Sequence, residues 1–168
     1  MIATLISRLF DPFLMLAVVF FVTLWGNPMF VPALGGMVLL PFLLYFFSWK
    51  MKVISNWDMN NRSERPRILW TLVAIEIVCF LVFQLWQLFP MVLAVIGFTL
   101  ITHFWKISGH AMSAALASGA IILRFGWNFW PVLLIVGLVS WSRVVRKNHT
   151  IAQVIAGALY SWIIILIA

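Results

Sequence analysis

Hydrophobic residues run through this chain in long unbroken blocks, interrupted by short polar clusters. The first block reaches from Pro12 to Trp49, 38 residues, about twice the roughly 20 that one bilayer crossing needs. Gly26-Asn27-Pro28, followed by Pro32, supplies its turn. Ile68 to Trp105 is a second block of 38, turning near Gln84 to Pro90. Ala111 to Trp141 is a third, turning at Arg124 to Pro131, and Thr150 to Ala168 is a last single run. Strands of a membrane barrel alternate apolar and polar over about ten residues. Blocks as continuous as these predict helices, whose backbone polar groups are satisfied within the segment. The expectation is an all-α fold, a polytopic transmembrane helix bundle of six to seven spans, with residues 1–168 as one membrane domain. Residues 1–10 are mildly amphipathic and predict an interfacial helix. Asp11-Pro12 then opens the first long helix with a capping carboxylate and a proline where its missing N–H costs nothing.

The polar interruptions add a second layer. Each hairpin returns the chain to the side it left, so the segments 50–67, 106–110 and 142–149 share one membrane face. Ten of the eleven basic residues lie there, with Arg124 alone opposite. Short basic loops stay cytoplasmic, so that face is expected to be the cytoplasmic one. Composition agrees with the pattern: 65% apolar, 9% charged, mean hydropathy +1.12 and formal charge +7, against roughly 45–50% apolar and about 25% charged in soluble domains. The lone Cys79 sits mid-run and reads as a small buried hydrophobe. Ala111, Ala115 and Gly119 fall on one helical face, a pattern that lets membrane helices approach closely.

Three clusters on the polar face carry chemistry. In Ser142-Arg143…His149…Gln153, positions 149 and 153 share a helical face. The Gln amide oxygen can accept from one imidazole nitrogen and fix the tautomer. In Lys106-Ile107-Ser108-Gly109-His110, Ser108 is an N-cap, and a helix N-terminus offers free N–H groups to an anion. Gly109 permits close approach to the backbone, and His110 stands in the first turn. In Asp58…Arg62…Arg65-Pro66-Arg67, three guanidinium forks suit phosphate oxygens. Each cluster alone also reads as an ordinary basic loop meeting anionic headgroups.

Taken together, the three resemble the signatures of the type 2 phosphatidic acid phosphatase superfamily: K-x6-R-P, P-S-G-H and S-R-x5-H-x3-D. Here they stand as Asp58, six residues, Arg65-Pro66; Ile107-Ser108-Gly109-His110; and Ser142-Arg143, five residues, His149, three residues, Gln153. The resemblance spans roughly residues 50–160. The chain departs from the pattern at three points. Asp58 replaces Lys, which implies that it does not touch phosphate and that Lys106 supplies the charge. Gln153 replaces Asp, as in the dolichyl-diphosphatase branch with its H-T-x-x-Q. An extra hydrophobic hairpin separates the first two motifs.

The resemblance implies a metal-independent phosphatase acting on a lipid phosphate or diphosphate: phosphatidic acid, phosphatidylglycerol phosphate or a polyprenyl diphosphate. His149 would attack phosphorus to give a phosphohistidine. His110 would protonate the leaving oxygen. Arg143, Arg65, Ser108 and Gly109 would hold the phosphoryl oxygens, Lys106 and Arg62 would assist, and Gln153 would orient His149. No cofactor and no nucleic acid is implied. The expected partners are the bilayer and the lipid itself, in a bacterial or archaeal cell membrane. A non-catalytic anionic-lipid binder or transporter is the alternative. A magnesium-dependent isoprenoid transferase is disfavoured, because Asp11, Asp58, Glu64 and Glu76 are too few acids for paired Asp-rich motifs. Glu76, deep in an apolar run, is expected to hydrogen bond a neighbouring span, and His103 to be structural.

Overall fold

The structure, a computed structural model, describes residues 1–167, so the last expected span, ending at Ala168, is described up to Ile167. All regular structure among them is helical: α1 (Ile2–Leu9), α2 (Pro12–Leu24), α3 (Phe30–Leu34), α4 (Leu40–Lys50), α5 (Arg65–Phe83), α6 (Phe89–Phe104), α7 (Gly109–Phe125), α8 (Leu133–Val145) and α9 (Ile151–Ile167). A π-helical turn over Gly35–Leu39 joins α3 and α4 into one run, Phe30–Lys50.

Helix starts fall where local chemistry puts them. Asp11 caps α2, its Oδ1 accepting from the Phe13 N–H at 3.1 Å with Pro12 in the first turn. Ser108 caps α7, its Oγ accepting from the Ala111 N–H at 3.3 Å.

Among the described residues, four helices are long and apolar enough to cross a membrane: Phe30–Lys50, Arg62–Phe83, Trp86–Phe104 and Trp127–Val145. They become five if α1 and α2, bent by 41° at Phe10-Asp11, act as one span. This is fewer than the six to seven expected, and α7 and α9 account for the difference. Both are 17 residues long. α7 is the hub of the bundle, packed against α2, α8 and α9, and every residue from His110 to Gly119 is buried. That stretch, enclosed by protein, is not selected for contact with lipid, and small residues replace large apolar ones there, whereas Leu123 and Phe125 of the last turn are exposed. Gly157 of α9 shows how close the packing is: a Cβ there would stand 2.6 Å from the Ser108 carbonyl oxygen. α1 packs on α8 rather than lying free at the interface, and it buries Ala3 and Ser7. Glu76 is buried in α5, and its Oε2 has no hydrogen-bond partner among the described residues, so the expected interhelical bond to that oxygen is not formed.

Candidate active site

The loops before α5 and α7 and between α8 and α9 meet at one end of the bundle. Arg65 ties the first two together, donating from Nε to the Met59 carbonyl at 2.9 Å and from Nη1 to the Ile107 carbonyl at 3.4 Å. The Ser108 N–H donates to the Gln153 carbonyl at 3.1 Å, and Lys106 Nζ to the Asn148 carbonyl at 2.9 Å. Asn148 in turn donates from its side chain to Asn60 Oδ1 at 3.2 Å. Three segments far apart in sequence thus share one hydrogen-bonded frame.

Inside that frame lies a cavity of ≈ 130 Å³ lined by His149, His110, Gly109, Arg143, Arg65 and Asp58, with Phe13, Tyr45, Trp57 and Met112 among its apolar walls. Both histidines are buried, and so are both arginines, Arg143 at 1% exposure. Gln153 Oε1 stands 3.2 Å from His149 Nδ1 and also accepts from the Thr150 N–H at 3.1 Å. With Oε1 fixed by that backbone donor, Nδ1 carries the proton and Nε2 is the unprotonated nitrogen. Burial, reinforced by the positive charges of Arg65, Arg143 and Lys106, pushes the His149 pKa down to about 3. At neutral pH the ring is therefore uncharged, the form in which a histidine is a nucleophile.

Arg143 is the most buried charge of the site. Its Nη1 donates to Asp58 Oδ1 at 2.6 Å and to Ser7 Oγ at 2.7 Å. Arg146 repeats the pattern one turn on, with Nη2 to Asp58 Oδ2 at 2.9 Å and Nη1 to Ser7 Oγ at 2.7 Å. Burial alone would raise the Asp58 carboxyl, but Arg143 and then Arg146 outweigh it and hold Asp58 at about 2. Asp58 is therefore a full carboxylate clamped between two guanidinium groups. Arg143 Nε is buried with no acceptor among the described residues. Buried donors are rarely left so, and on a cavity-lining arginine it is a donor still open to an anion's oxygen.

The expected site residues divide into those on the cavity wall and those behind it. His149, His110, Arg143, Arg65 and Gly109 line the cavity. Ser108 is fully buried and serves as the α7 cap, Gln153 lies behind His149, and Lys106 is committed to the Asn148 carbonyl. Burial and the neighbouring Arg65 and Arg143 push the Lys106 ammonium below its ordinary value. Arg62 is exposed and donates to the His103 carbonyl, away from the cavity, and His103 is exposed. Asp58, expected not to touch phosphate, is placed on Arg143, one of the arginines expected to do so, and on Arg146, since buried guanidinium groups need a counter-charge. Ser7, Arg146, Trp57 and Asp11 were not singled out as site residues. The Trp57 indole N–H donates to Asp11 Oδ2 at 2.9 Å, and the Tyr45 hydroxyl donates to the Trp57 carbonyl, closing the cavity on the α2 side.

Over 56 residues the chain is 45% identical to the lipid A 4'-phosphatase of Helicobacter pylori (strain J99 / ATCC 700824), a match that takes in 33% of this chain and 28% of that protein. The chain thus matches less than a third of the length of this curated relative. No known family profile matches the chain. No solved structure matches it.

Proposed function

We propose that this chain is a membrane phosphatase that removes phosphate from a lipid phosphate at the face carrying His110 and His149. The observation that carries the reading is His149: buried, held uncharged, oriented by Gln153, and facing the same cavity as a second histidine and two buried arginines. Local likeness to a lipid A 4'-phosphatase supports a lipid phosphate as the substrate class.

The reaction has two displacements. His149 Nε2 attacks phosphorus, and a P–N bond forms as the bond to the leaving oxygen breaks. His110, held uncharged at rest by burial and Arg143, takes up a proton as the phosphate anion enters and gives it to that oxygen, and the lipid alcohol, or lipid monophosphate from a diphosphate, departs. Water then attacks the phosphohistidine, His110 takes its proton, and inorganic phosphate leaves with His149 restored. Arg143 and Arg65, buried and preorganised, stabilise the charge spread over the three phosphoryl oxygens, a contribution that is largest where water is excluded. The Gln153 contact keeps the lone pair of Nε2 pointed at phosphorus throughout. Ten of eleven basic residues flank this face, which supports a cytoplasmic orientation.

Purified protein, assayed for phosphate release with EDTA present, tests the reading. The panel is phosphatidic acid, phosphatidylglycerol phosphate, undecaprenyl diphosphate and lipid A. Release from at least one substrate, lost in a folded His149→Ala variant, is expected. If folded native protein releases no phosphate from any of them yet binds their headgroups, it is instead a non-catalytic lipid-binding protein.

A further inference from the structure

A second, larger cavity opens beside the catalytic one. It is a groove of ≈ 840 Å³ between α2 and the Phe30–Lys50 helix, with Leu14 and Ala17 on one wall and Val31, Leu39 and Phe46 on the other. Its side chains are apolar except at one end, where Arg8 and Asp11 stand. That end meets the catalytic cavity, because Asp11, Phe13 and Trp57 line both. Leu14, Val31 and Leu39 are more than half exposed and, on helices that face the bilayer, open sideways toward lipid. The π-helical turn shapes the wall. Gly35, whose backbone is ordinary right-handed helix with φ −61°, leaves open space where a Cβ would be.

We propose that this groove is the subsite for a hydrocarbon tail of the lipid phosphate whose headgroup reaches Arg143 and His149. The inference rests on the phosphatase reading and adds where the rest of the substrate goes. Three observations point to a tail as the occupant. The groove adjoins the site across a shared wall of Asp11, Phe13 and Trp57, so a headgroup passes the Trp57–Asp11 hydrogen bond to reach the histidines. Its apolar walls end in a polar rim on the side where a headgroup must sit. At about 30 Å³ per water-sized group, its ≈ 840 Å³ is large enough for a long acyl chain. The alternative environment for a tail is the bilayer, which is as apolar as the groove. The groove therefore selects by shape, and aims the headgroup past the Trp57–Asp11 hydrogen bond, rather than adding binding energy in bulk.

Gly35→Trp fills the groove at a position with free space and relaxed backbone, and Gly35→Ala adds only a methyl. The full chain is assayed on dipalmitoyl phosphatidic acid in mixed micelles and on the soluble p-nitrophenyl phosphate. Expected is a fall of about tenfold or more in kcat/KM for the long-chain lipid in Gly35→Trp, with the soluble ester within about twofold and Gly35→Ala close to native. Equal effects on both substrates, or none on either, overturn the groove while leaving the phosphatase reading intact. Inactivity of the native protein on both, and on the other lipids of the panel above, overturns the phosphatase reading. The groove is then judged by crosslinking with a diazirine-tailed phosphatidic acid against a diazirine-tailed diacylglycerol. Labelling of Leu14, Val31 or Leu39 that requires the phosphate and is lost in Gly35→Trp supports the tail subsite, and labelling indifferent to either overturns it.

Discussion

Replacing Asp58 by asparagine separates two consequences of one ion pair. Asp58 neutralises Arg143 and Arg146, and it holds the guanidinium groups that a phosphate needs. Its pKa is held at about 2 against an ordinary 3.8, and at 1.36 kcal/mol per pH unit the difference corresponds to about 2 kcal/mol of stability. Breaking a buried pair costs roughly 3–5 kcal/mol when one charge is left bare. The Asp58→Asn variant keeps an amide oxygen as an acceptor for Arg143, and Ser7 keeps another, so the lower figure is expected. For a chain of this size, about 2 kcal/mol lowers Tm by about 4–8 °C. The folded pKa lies below the unfolded one, so this stabilisation is fully present above the ordinary 3.8 and is lost as pH falls toward 2. Asp58→Asn removes that acid dependence. For ligands the sign reverses. A phosphate that engages Arg143 beyond its open Nε competes with the carboxylate, and relieving a competition of about 2 kcal/mol tightens binding by up to about 30-fold. Thermal unfolding in detergent at about pH 7 and about pH 3, on either side of the ordinary carboxylate range, together with the inhibition constant of vanadate, measures both. A variant with native Tm and unchanged or weaker vanadate inhibition would refute the claim that Asp58 occupies the phosphate-binding arginines.

Three further outcomes follow from the same geometry. His149 is buried uncharged with a pKa near 3 against an ordinary 6.5, so the unfolded chain binds its proton first. The stability it allows is lost as pH falls from about 6.5 toward 3, and His149→Gln should flatten that part of the pH–stability curve, measured by denaturant or thermal unfolding. Gln153→Ala frees the His149 tautomer, and kcat should fall on the order of tenfold or more with KM nearly unchanged. Gln153→Glu should restore part of the rate and move the acid limb of the kcat profile upward in pH, because an anion raises the His149 pKa. Gly157→Ala places a Cβ 2.6 Å from the Ser108 carbonyl oxygen. It should cost about 1–3 kcal/mol, read as a lower Tm, and reduce activity by shifting the α7 cap that positions His110.

What the sequence revealed follows the range of the interaction concerned. Helix starts at Asp11 and Ser108 depend on side chains two or three residues away, and the His149–Gln153 contact depends on the i,i+4 spacing. All three are legible in the order of residues. The meeting of segments 50–67, 106–110 and 142–149 was legible for a different reason: hairpins spanning a bilayer leave the returning loops only two faces to choose from. The span count is harder to read, because hydropathy measures suitability for lipid and most of α7 is surrounded by protein. Its alanines, serines and glycine, buried from His110 to Gly119, look less membrane-like than helices that lie farther out.

Asp58 shows the remaining limit. A motif position that should hold Lys holds Asp instead, and pairwise reasoning with phosphate predicts repulsion. That reasoning leaves out the state before phosphate arrives. Arg143 at 1% exposure cannot stay charged inside the fold without an anion, and the partner it finds lies 85 residues earlier in the chain, with Ser7, 136 residues earlier, completing the set. Nothing local to either segment encodes the pairing; only the tertiary fold brings them together. The acid therefore serves as the internal counter-ion that the buried Arg143 requires. If the site takes phosphate as proposed, displacing Asp58 costs affinity and selects for ligands whose charge exceeds that of a single carboxylate. A phosphate monoester carries up to two negative charges and three free oxygens, so on the proposed reading it would replace Asp58 on Arg143 and Arg146 with charge to spare. A carboxylate lipid of equal tail length would only match it, so weaker inhibition by the carboxylate lipid is expected.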